Sequence, residues 1–447
     1  MQDYETPHVE KTITTLPPPE PSSPAGSQHF ALLIVFLVMF IDLLGFGIVL
    51  PLLPRYGKEF LEPLFPGPEY DSLRGGILGL LMASFSAMQF LFAPLWGRIS
   101  DRRGRRPFLL LGLVGSVMFY TLFGFASDWG VEEGRQALGL ALLFVARIGA
   151  GIAGATVSTA QAVIADSTTP ERRSRGMALI GAAFGIGFTF GPMLGAGSLY
   201  FYPSWRGGPG FVAAAFSFIA LVLAVVLMPE TLRPGVSGGR RGWLSLGGIR
   251  LAARTPTVGL LILTFFLSTL AFANFEPTLA FLTKDVLDYG DEQNFLVFAY
   301  VGFVLMLAQG GFYQLLARRG MSETRFMLVG AVLMILGMAG LGIAAAIVSV
   351  LSVPGSLPGF LAALTAAVIG FAFVTPSVQA LVSRRSDPAK QGEILGVNQS
   401  ANALSRILGP MAGVSLYYLS PAHFPPYAFA IALLICVVVL TLRVRQA

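Results

Sequence analysis

The sequence predicts an all-α polytopic membrane protein with twelve transmembrane helices arranged as two pseudo-symmetric six-helix halves. Three observations lead to this prediction: an apolar composition, twelve long apolar stretches, and residue patterns that recur in the second half of the chain. Of the 447 residues, 54% are hydrophobic and only 12% are charged. A soluble domain carries roughly 25% charged residues, so this chain has too few charges to cover a soluble body.

A helix that crosses a bilayer needs about 20 mostly apolar residues. The chain has twelve stretches of this kind, which we number spans 1 to 12. Span 11 is the most polar, because it contains Asn398, Gln399, Asn402 and Arg406. The predicted spans lie at 30–53, 75–96, 107–127, 136–165, 176–202, 210–229, 257–282, 294–316, 325–350, 358–382, 392–418 and 425–442.

Three features of the first six spans recur in the last six at similar separations. The sequence Asp-Arg-Arg-Gly at 101–104 recurs as Ala-Arg-Arg-Gly at 317–320, and the Gly-Pro pair at 191–192 recurs at 409–410. Pro51 in span 1 is matched by Pro277 in span 7. Two parallel repeats around a central cavity are an arrangement used by transporters.

The repeat and the polar segments divide the chain into five parts. The first part is rich in proline and polar residues, which predicts disorder, and it lacks the layout of a signal peptide. The predicted parts are a disordered cytoplasmic tail at 1–29, an N-terminal half at 30–229, a cytoplasmic linker at 230–256, a C-terminal half at 257–442 and a cytoplasmic tail at 443–447.

The basic residues are distributed unequally between the two sides of the predicted membrane. One side holds 22 of the 30 Lys and Arg residues, the other side holds six, and Arg147 and Arg406 lie within spans. The positive-inside rule therefore predicts that both termini are cytoplasmic. This topology accounts for the net charge of +6, so we expect no nucleic-acid partner. Compact loops and no signal peptide favour a bacterial inner membrane.

Cysteine and histidine exclude several kinds of chemistry. The single Cys436 cannot form an intrachain disulfide or a thiolate metal site. The three His residues lie outside the long apolar stretches, so no imidazole base is available inside the membrane. We therefore expect a protein that is not an enzyme and that has no metal and no bound cofactor.

Charged side chains within the spans are the strongest functional signal, because each costs about 2.5–3.5 kcal/mol near the bilayer centre. Asp42 in span 1 lies close to mid-membrane and can exchange a proton or serve as a structural hydrogen-bonding group. Arg147 in span 4 can pair with a carboxylate or a substrate anion, or can hold helices together through backbone carbonyls.

The spans of the second half contain one further acidic residue and one further basic residue. Glu276 in span 7 is flanked by Asn274 and Pro277, and it can contact substrate or a proton, or have a role in helix packing. Arg406 and Asn402 in span 11 are one turn apart and share a face. Arg406 can contact a substrate cavity, or it can form a charge pair with Glu276 or Asp42.

The loop between spans 2 and 3 has a recognisable pattern, Gly-x-x-x-Asp-Arg-x-Gly-Arg-Arg. It resembles the signature loop of the major facilitator superfamily. The resemblance implies a charge network that closes the cytoplasmic side in the outward-open state. The residues that carry this prediction are Gly97, Asp101, Arg102, Gly104, Arg105 and Arg106, with Asp166 at the end of span 4. Simple positive-inside charge explains the arginines but not the spacing of glycine and aspartate.

Two further patterns resemble motifs of the same superfamily. Leu143, Arg147 and Gly151 resemble the span 4 motif linked to proton transfer, with Ala150 where glutamine is common. In span 5, the residues Gly187, Gly191, Pro192 and Gly195 resemble a motif that accompanies export, although Ala196 replaces its last glycine. Ordinary packing glycines are the alternative interpretation of this second pattern.

Residues 42–54 are similar to the first span of tetracycline/proton antiporters, in the twelve-span drug/proton antiporter branch. The resemblance implies alternating access between two halves, driven by a proton gradient, and a role for Asp42 with protons or substrate. We therefore predict a monomeric exporter whose partners are protons, the lipid bilayer and a small amphiphilic organic molecule. A symporter or uniporter of an organic anion or other metabolite remains an alternative, as does a non-transporting receptor.

Overall fold

The computed structural model describes residues 25–168, 170–201, 205–232, 257–351, 356–386 and 391–446. In these residues the regular structure is helical, and no β-strand is present. Ten of the described helices are long and apolar enough to cross a membrane. Two further long helices, Pro170–Phe201 and Gln391–Tyr417, lie where the sequence predicts spans 5 and 11. The predicted all-α membrane fold is therefore confirmed.

The helices keep the numbers of the predicted spans. Span 1 continues through a 3₁₀ turn into a second helix, Leu53–Leu64, and span 8 contains a π-helical turn at Ala308–Phe312. The bounds are Ala25–Val49 for span 1, Asp71–Arg103 for span 2, Arg105–Trp129 for span 3, Gln136–Ala153 with Val157–Ser167 for span 4, Pro170–Phe201 for span 5, Gly208–Leu227 for span 6, Val258–Leu287 for span 7, Asp291–Leu307 with Tyr313–Arg318 for span 8, Glu323–Leu351 for span 9, Leu357–Arg385 for span 10, Gln391–Tyr417 for span 11 and Pro425–Gln446 for span 12.

The two turns that join spans 2–3 and spans 8–9 lie at the same end of the bundle, which we call the basic end. Gly104 and Gly320 reverse the chain there with φ angles of 106° and 85°. Side chains other than glycine rarely adopt such angles, which explains why glycine recurs at both positions. The other end of the bundle is called the opposite end.

Span 4 is one predicted stretch but two helices. The chain turns at 154–156, between Gln136–Ala153 and Val157–Ser167. At the break, the side-chain amide of Gln89 in span 2 donates to the carbonyl of Gly154 at 3.0 Å. Such side-chain bonds satisfy carbonyls that a helix end leaves without a partner. The break therefore holds Arg147 on the first of two separately packed helices.

The two halves contact each other through span 2 with span 11 and through span 5 with span 8. Exchanging the halves converts the first of these pairs into the second, as the sequence repeat requires. The contact between spans 2 and 11 is close, since a Cβ on Gly79 would lie 2.9 Å from the backbone of Met411. The contact between spans 5 and 8 places Gly195 against the ring of Phe295.

The opposite end has a further connection between the halves. The hydroxyl of Thr283 in span 7 donates to the side-chain carbonyl of Asn294 in span 8 at 3.0 Å. The amide of Asn294 in turn donates to the carbonyl of Pro51 in the first half at 3.5 Å. Hydrogen bonds thus connect spans 1, 7 and 8 at this end of the bundle.

Two predicted parts lie mainly outside the described residues. The predicted tail at 1–29 is described only from Ala25 onward, where the helix of span 1 begins. The predicted linker at 230–256 is described only at 230–232, which follow the end of span 6.

Candidate functional site

The interior of the first half contains a fully buried guanidinium. Arg147 in span 4 is 1% exposed, and its Cζ lies 4.7 Å from the centre of the Phe85 ring in span 2. It also interacts electrostatically with Tyr120 of span 3. Burying a charge is costly unless nearby groups compensate for it. The aromatic rings of spans 2 and 3 therefore form part of the surroundings that hold this charge inside the half.

Tyr120 also contacts span 1 close to the predicted proton site. A Cβ on Gly45 would lie 2.6 Å from the Tyr120 hydroxyl oxygen, so the phenol packs directly on the span 1 backbone. Asp42 is three residues before Gly45, which places the two on neighbouring parts of one helix face. The structure places the backbone of Asp42 within the helix of span 1. The side chain of Asp42 lies outside the described part of the structure.

The glycine pattern of span 5 packs on the same part of span 1. A Cβ on Gly187 would lie 2.9 Å from the carbonyl oxygen of Phe40, and one on Gly191 would lie 2.7 Å from that of Leu44. Pro192 lies within the helix and faces Gly47 at this crossing. Small residues allow membrane helices to approach closely. Span 5 therefore contacts span 1 directly on both sides of Asp42.

Arg105 is the centre of the charge network at the basic end. Its guanidinium pairs with Asp101 one turn earlier, and its Nε donates to Asp166 at 3.1 Å. It also donates to the hydroxyl of Ser100 at 3.0 Å. The side chain of Arg105 is 8% exposed, so these carboxylates compensate for a largely buried charge. Asp166 belongs to the second helix of span 4, so the network joins spans 2, 3 and 4.

The remaining predicted residues of this loop have separate environments. Arg106 donates to the carbonyl of Val225 in span 6 at 2.6 Å. Arg102 is exposed on the surface, and Gly97 lies in span 2, where its carbonyl accepts a hydrogen bond from Ser100. The structure therefore brings Arg105 and Asp166 together, whereas Arg102 does not join their charge network.

Sequence reasoning missed Glu230 as a member of this network. Its carboxylate accepts hydrogen bonds from the backbone amides of Arg105 at 2.8 Å and Arg106 at 3.2 Å. The same carboxylate accepts from its own neighbours Thr231 and Leu232. Because Gly104 has no side chain to cap span 3, an acid from the end of span 6 supplies the acceptor. No motif signal in the loop itself indicates this partner.

In the second half, spans 7 and 11 cross at Ala273 and Gly409, where a Cβ on the glycine would lie 2.6 Å from the Ala273 carbonyl carbon. Arg406 is three residues toward the basic end and Glu276 is three residues toward the opposite end. At a rise of about 1.5 Å per residue, the two backbones are offset by about 9 Å along the helix axes. The two side chains are nonetheless close enough to influence each other electrostatically.

Several polar atoms of spans 7 and 11 are buried without a hydrogen bond. They are Oε1 of Glu276, Oδ1 of Asn274, Oδ1 of Asn398 and Oγ1 of Thr269. Buried polar groups are normally hydrogen-bonded, so each atom of this kind needs an explanation. Asn398 precedes Asn402 and Arg406 at intervals of four, and this spacing could have identified it from the sequence. Thr269 precedes Glu276 by two turns and shares its face.

Asn274 has a different position from the other predicted residues of span 7. Its amide donates to the carbonyl of Pro426, at the start of span 12, at 2.8 Å. Two residues along a helix point about 200° apart, so Asn274 and Glu276 cannot face the same partner. Among the described residues, no group of three His, Cys, Asp or Glu side chains is arranged to hold a metal ion.

These features define a class of protein. The described helices form two related halves that meet through equivalent helix pairs, and ionisable side chains lie in the interior of each half. Ionisable residues inside a membrane bundle mark pathways for substrates and ions. The fold and the site are those of a multi-pass membrane transporter.

Comparisons with known proteins identify the family. A model of the Major Facilitator Superfamily matches residues 35–410 and 332–447, and the chain belongs to that family. Major facilitator superfamily domain-containing protein 10 of Mus musculus is 30% identical over 451 residues, covering 91% of each chain. The class C tetracycline resistance protein of Escherichia coli is 28% identical over 410 residues, covering 90% of this chain and 93% of that protein.

Comparison with solved structures supports the same family. The crystal structure of the human organic anion transporter MFSD10 (TETRAN) has a TM-score of 0.66 and 28% identity, and the match covers 94% of this chain and all of that one. The D-xylose-proton symporter, at 17% identity and a TM-score of 0.72, shares the fold. The chain is a transporter of this superfamily and not an enzyme.

Proposed function

We propose that the chain is a proton-coupled exporter of a small amphiphilic organic compound, working as an antiporter by alternating access. The observation that supports this most is the fully buried Arg147, packed among spans 2 and 3 and linked through Tyr120 to the span 1 face that holds Asp42. An intramembrane charge of this kind is retained for function far more often than by chance. The similarity to tetracycline resistance proteins is consistent with export.

The charge balance inside the spans offers a route to coupling. Asp42 and Glu276 supply two negative charges, and Arg147 and Arg406 supply two positive charges. When both carboxyl groups are ionised, the interior is neutral. Protonation of either one leaves a net positive charge, which changes the free energy of burying these groups in a closed state. A proton that enters from one side can therefore favour the conformation in which substrate leaves.

The loop at the basic end would then control access from that side. We propose that Asp101, Arg105 and Asp166, with Glu230 behind them, stabilise one of the two conformations, as the superfamily resemblance implies. We also propose that the basic end is cytoplasmic, that both termini lie on that side, and that the monomer functions in a cell inner membrane. The distribution of Lys and Arg supports this orientation.

A second candidate is transport of an organic anion. Arg406 lies on a span 11 face with Asn402 and Asn398, whose carbonyl oxygen is buried without a hydrogen bond. A guanidinium and neighbouring amides suit a carboxylate or sulfonate ligand. The solved structure of MFSD10 is named as that of an organic anion transporter. This observation favours an anionic group on the compound without changing the proposed coupling.

Transport by the full-length protein in proteoliposomes with an imposed pH gradient tests the proposal. The compound panel should pair anionic, neutral and cationic amphiphiles of similar size. We expect gradient-dependent movement that Asp42→Asn abolishes, whereas Glu132→Gln, in an exposed pair with Arg135, preserves it. Movement that ignores the gradient in the wild-type protein contradicts antiport, and normal coupling in Asp42→Asn makes that residue structural.

A further inference from the structure

A half-open pocket of about 400 Å³ lies at the basic end of the second half, away from the interior residues described above. It forms where span 8 ends and span 9 begins. Its walls are mainly apolar, and two arginines stand at its edge. The residues that matter for its chemistry are Leu316, Met321, Leu328, Val329, Arg319 and Arg325.

The turn between the two helices builds one wall of this pocket. The amide of Met321 donates to the carbonyl of Leu316 at 3.1 Å, and the amide of Gly320 donates to that of Ala317 at 3.0 Å. This pair of bonds, with Gly320 at positive φ, is the Schellman arrangement that ends many helices. It brings Met321 and Leu316 together as an apolar contact and leaves the preceding arginine at the surface.

The two arginines of the pocket have no acidic partner in the described ranges. Arg319 and Arg325 are both exposed, and neither forms an ion pair with a side chain in the described part of the chain. The neighbouring acid, Glu323, pairs instead with Arg384 of span 10 at 2.7 Å. Two guanidinium groups thus stand beside apolar side chains without an acidic partner among the residues that the structure describes.

In the corresponding loop of the first half, the arginine at the start of span 3 has acidic partners. There, Arg105 is paired with Asp101 and Asp166, and Glu230 accepts from the adjacent backbone amides. At the position of Asp101 the second half has Ala317. Within the described side chains, Glu323 is the one acid at the basic end of the second half. Arg102 and Arg103 therefore recur in the second half as Arg318 and Arg319, whereas the paired residues Asp101 and Arg105 are replaced by Ala317 and Met321.

We propose that this pocket binds an anionic phospholipid. Arg319 and Arg325 would hold the phosphodiester, and an acyl chain would lie against Leu328 and Val329, which is 41% exposed. Guanidinium groups match phosphate oxygens well in geometry and charge. Cytoplasmic leaflets carry anionic lipids, and basic residues near the membrane surface attract them. The site would anchor the second half at its basic end, independently of the transported compound.

Native mass spectrometry of the full-length protein can measure this binding, with phosphatidylglycerol and phosphatidylcholine of identical acyl chains as probes. We expect the wild-type protein to bind phosphatidylglycerol about tenfold more tightly, because two basic groups contact the headgroup. The double variant Arg319→Gln/Arg325→Gln should lose most of this preference. Glycerol 3-phosphate, as the free headgroup, should compete poorly because it lacks the acyl chain.

A matched control removes the same charge from the same end of the same half. Arg443→Gln/Arg445→Gln, at the end of span 12, should keep the phosphatidylglycerol preference. An equal loss in both double variants would mean that bulk charge is responsible, and it would overturn the pocket assignment. An unchanged preference in Arg319→Gln/Arg325→Gln would do the same. Binding of glycerol 3-phosphate as tight as that of the lipid would overturn the lipid assignment in favour of a free anion site.

Discussion

The carboxylate of Glu230 accepts a hydrogen bond from the backbone amide of Arg105 at 2.8 Å, across 125 residues of chain. The side chain of Arg105 meanwhile pairs with Asp101 and Asp166. One residue therefore links the ends of spans 2, 4 and 6 through its backbone and its side chain. The loop between spans 2 and 3 is thus held by contacts from spans 4 and 6 as well as from its own two helices.

We expect Glu230→Gln to destabilise the first half, because a neutral amide is a weaker acceptor for the first amides of span 3. Loss of a helix cap typically costs about 1 kcal/mol. Thermal unfolding of the purified protein should show a lower midpoint. Glu132→Gln, which removes an exposed acid paired with Arg135, should leave the midpoint unchanged. Equal unfolding midpoints for the two variants would show that the Glu230 carboxylate does not stabilise the start of span 3.

The Arg105 network should matter for the transport rate, because it holds a largely buried charge between spans 2, 3 and 4. Arg105→Gln leaves two carboxylates near each other without their cation, and we expect about tenfold slower transport because charge-assisted bonds contribute about 1.5–3 kcal/mol. Asp166→Asn should have a smaller effect, since Asp101 remains. Uptake or efflux assays in proteoliposomes at matched protein density provide the measurement. Arg102→Gln, an exposed neighbour, is the control, and a loss in it equal to that of Arg105→Gln would attribute the effect to surface charge.

Much of the fold could be predicted from the sequence, because each span is a long apolar stretch and membranes permit few alternatives to helices. The repeat of Gly104 as Gly320 also has a direct cause in the positive φ of both turns. The break of span 4 at Gly154 was not predicted, and the carbonyl exposed there is satisfied by the side chain of Gln89 in another helix. Local composition carries no information about such a partner.

The span 5 glycines allow a comparison within one helix. A Cβ on Gly191 would lie 2.7 Å from the Leu44 carbonyl oxygen, whereas one on Gly197 would meet nothing within 4 Å. We expect Gly191→Ala to lose about 1–3 kcal/mol of stability by forcing spans 1 and 5 apart. Gly197→Ala should be neutral or slightly stabilising, because alanine favours helix. Thermal unfolding, together with transport, distinguishes them. Identical behaviour of the two variants would mean that the crossing tolerates a side chain.

The site was less predictable than the fold. Charges inside the spans identified Arg147 and Arg406, but their surroundings come from residues with no signal of their own, such as Phe85 and Tyr120. Asn274 stands close to Glu276 in sequence, yet it bonds to the start of span 12. Neighbours in sequence on a helix face different partners, and the partners are set by how distant spans cross.

Glu276 and Arg406 provide the sharpest test of the second half. Their helices cross at Ala273 and Gly409, and their charges interact although the backbones are offset by about 9 Å along the axes. Glu276→Gln leaves the Arg406 charge unbalanced, and Arg406→Gln leaves a buried carboxylate, so each single variant should slow transport at least about tenfold.

The double variant Glu276→Gln/Arg406→Gln has no net charge at the crossing. If the two residues act as a pair, we expect it to be no slower than either single variant, which a double-mutant cycle records as a positive coupling. The exposed pair Glu132 and Arg135, changed in the same way, should show no coupling in transport. Additive losses at Glu276 and Arg406 would show instead that each contacts substrate or proton separately. That result would favour an anionic compound held by Arg406 alone.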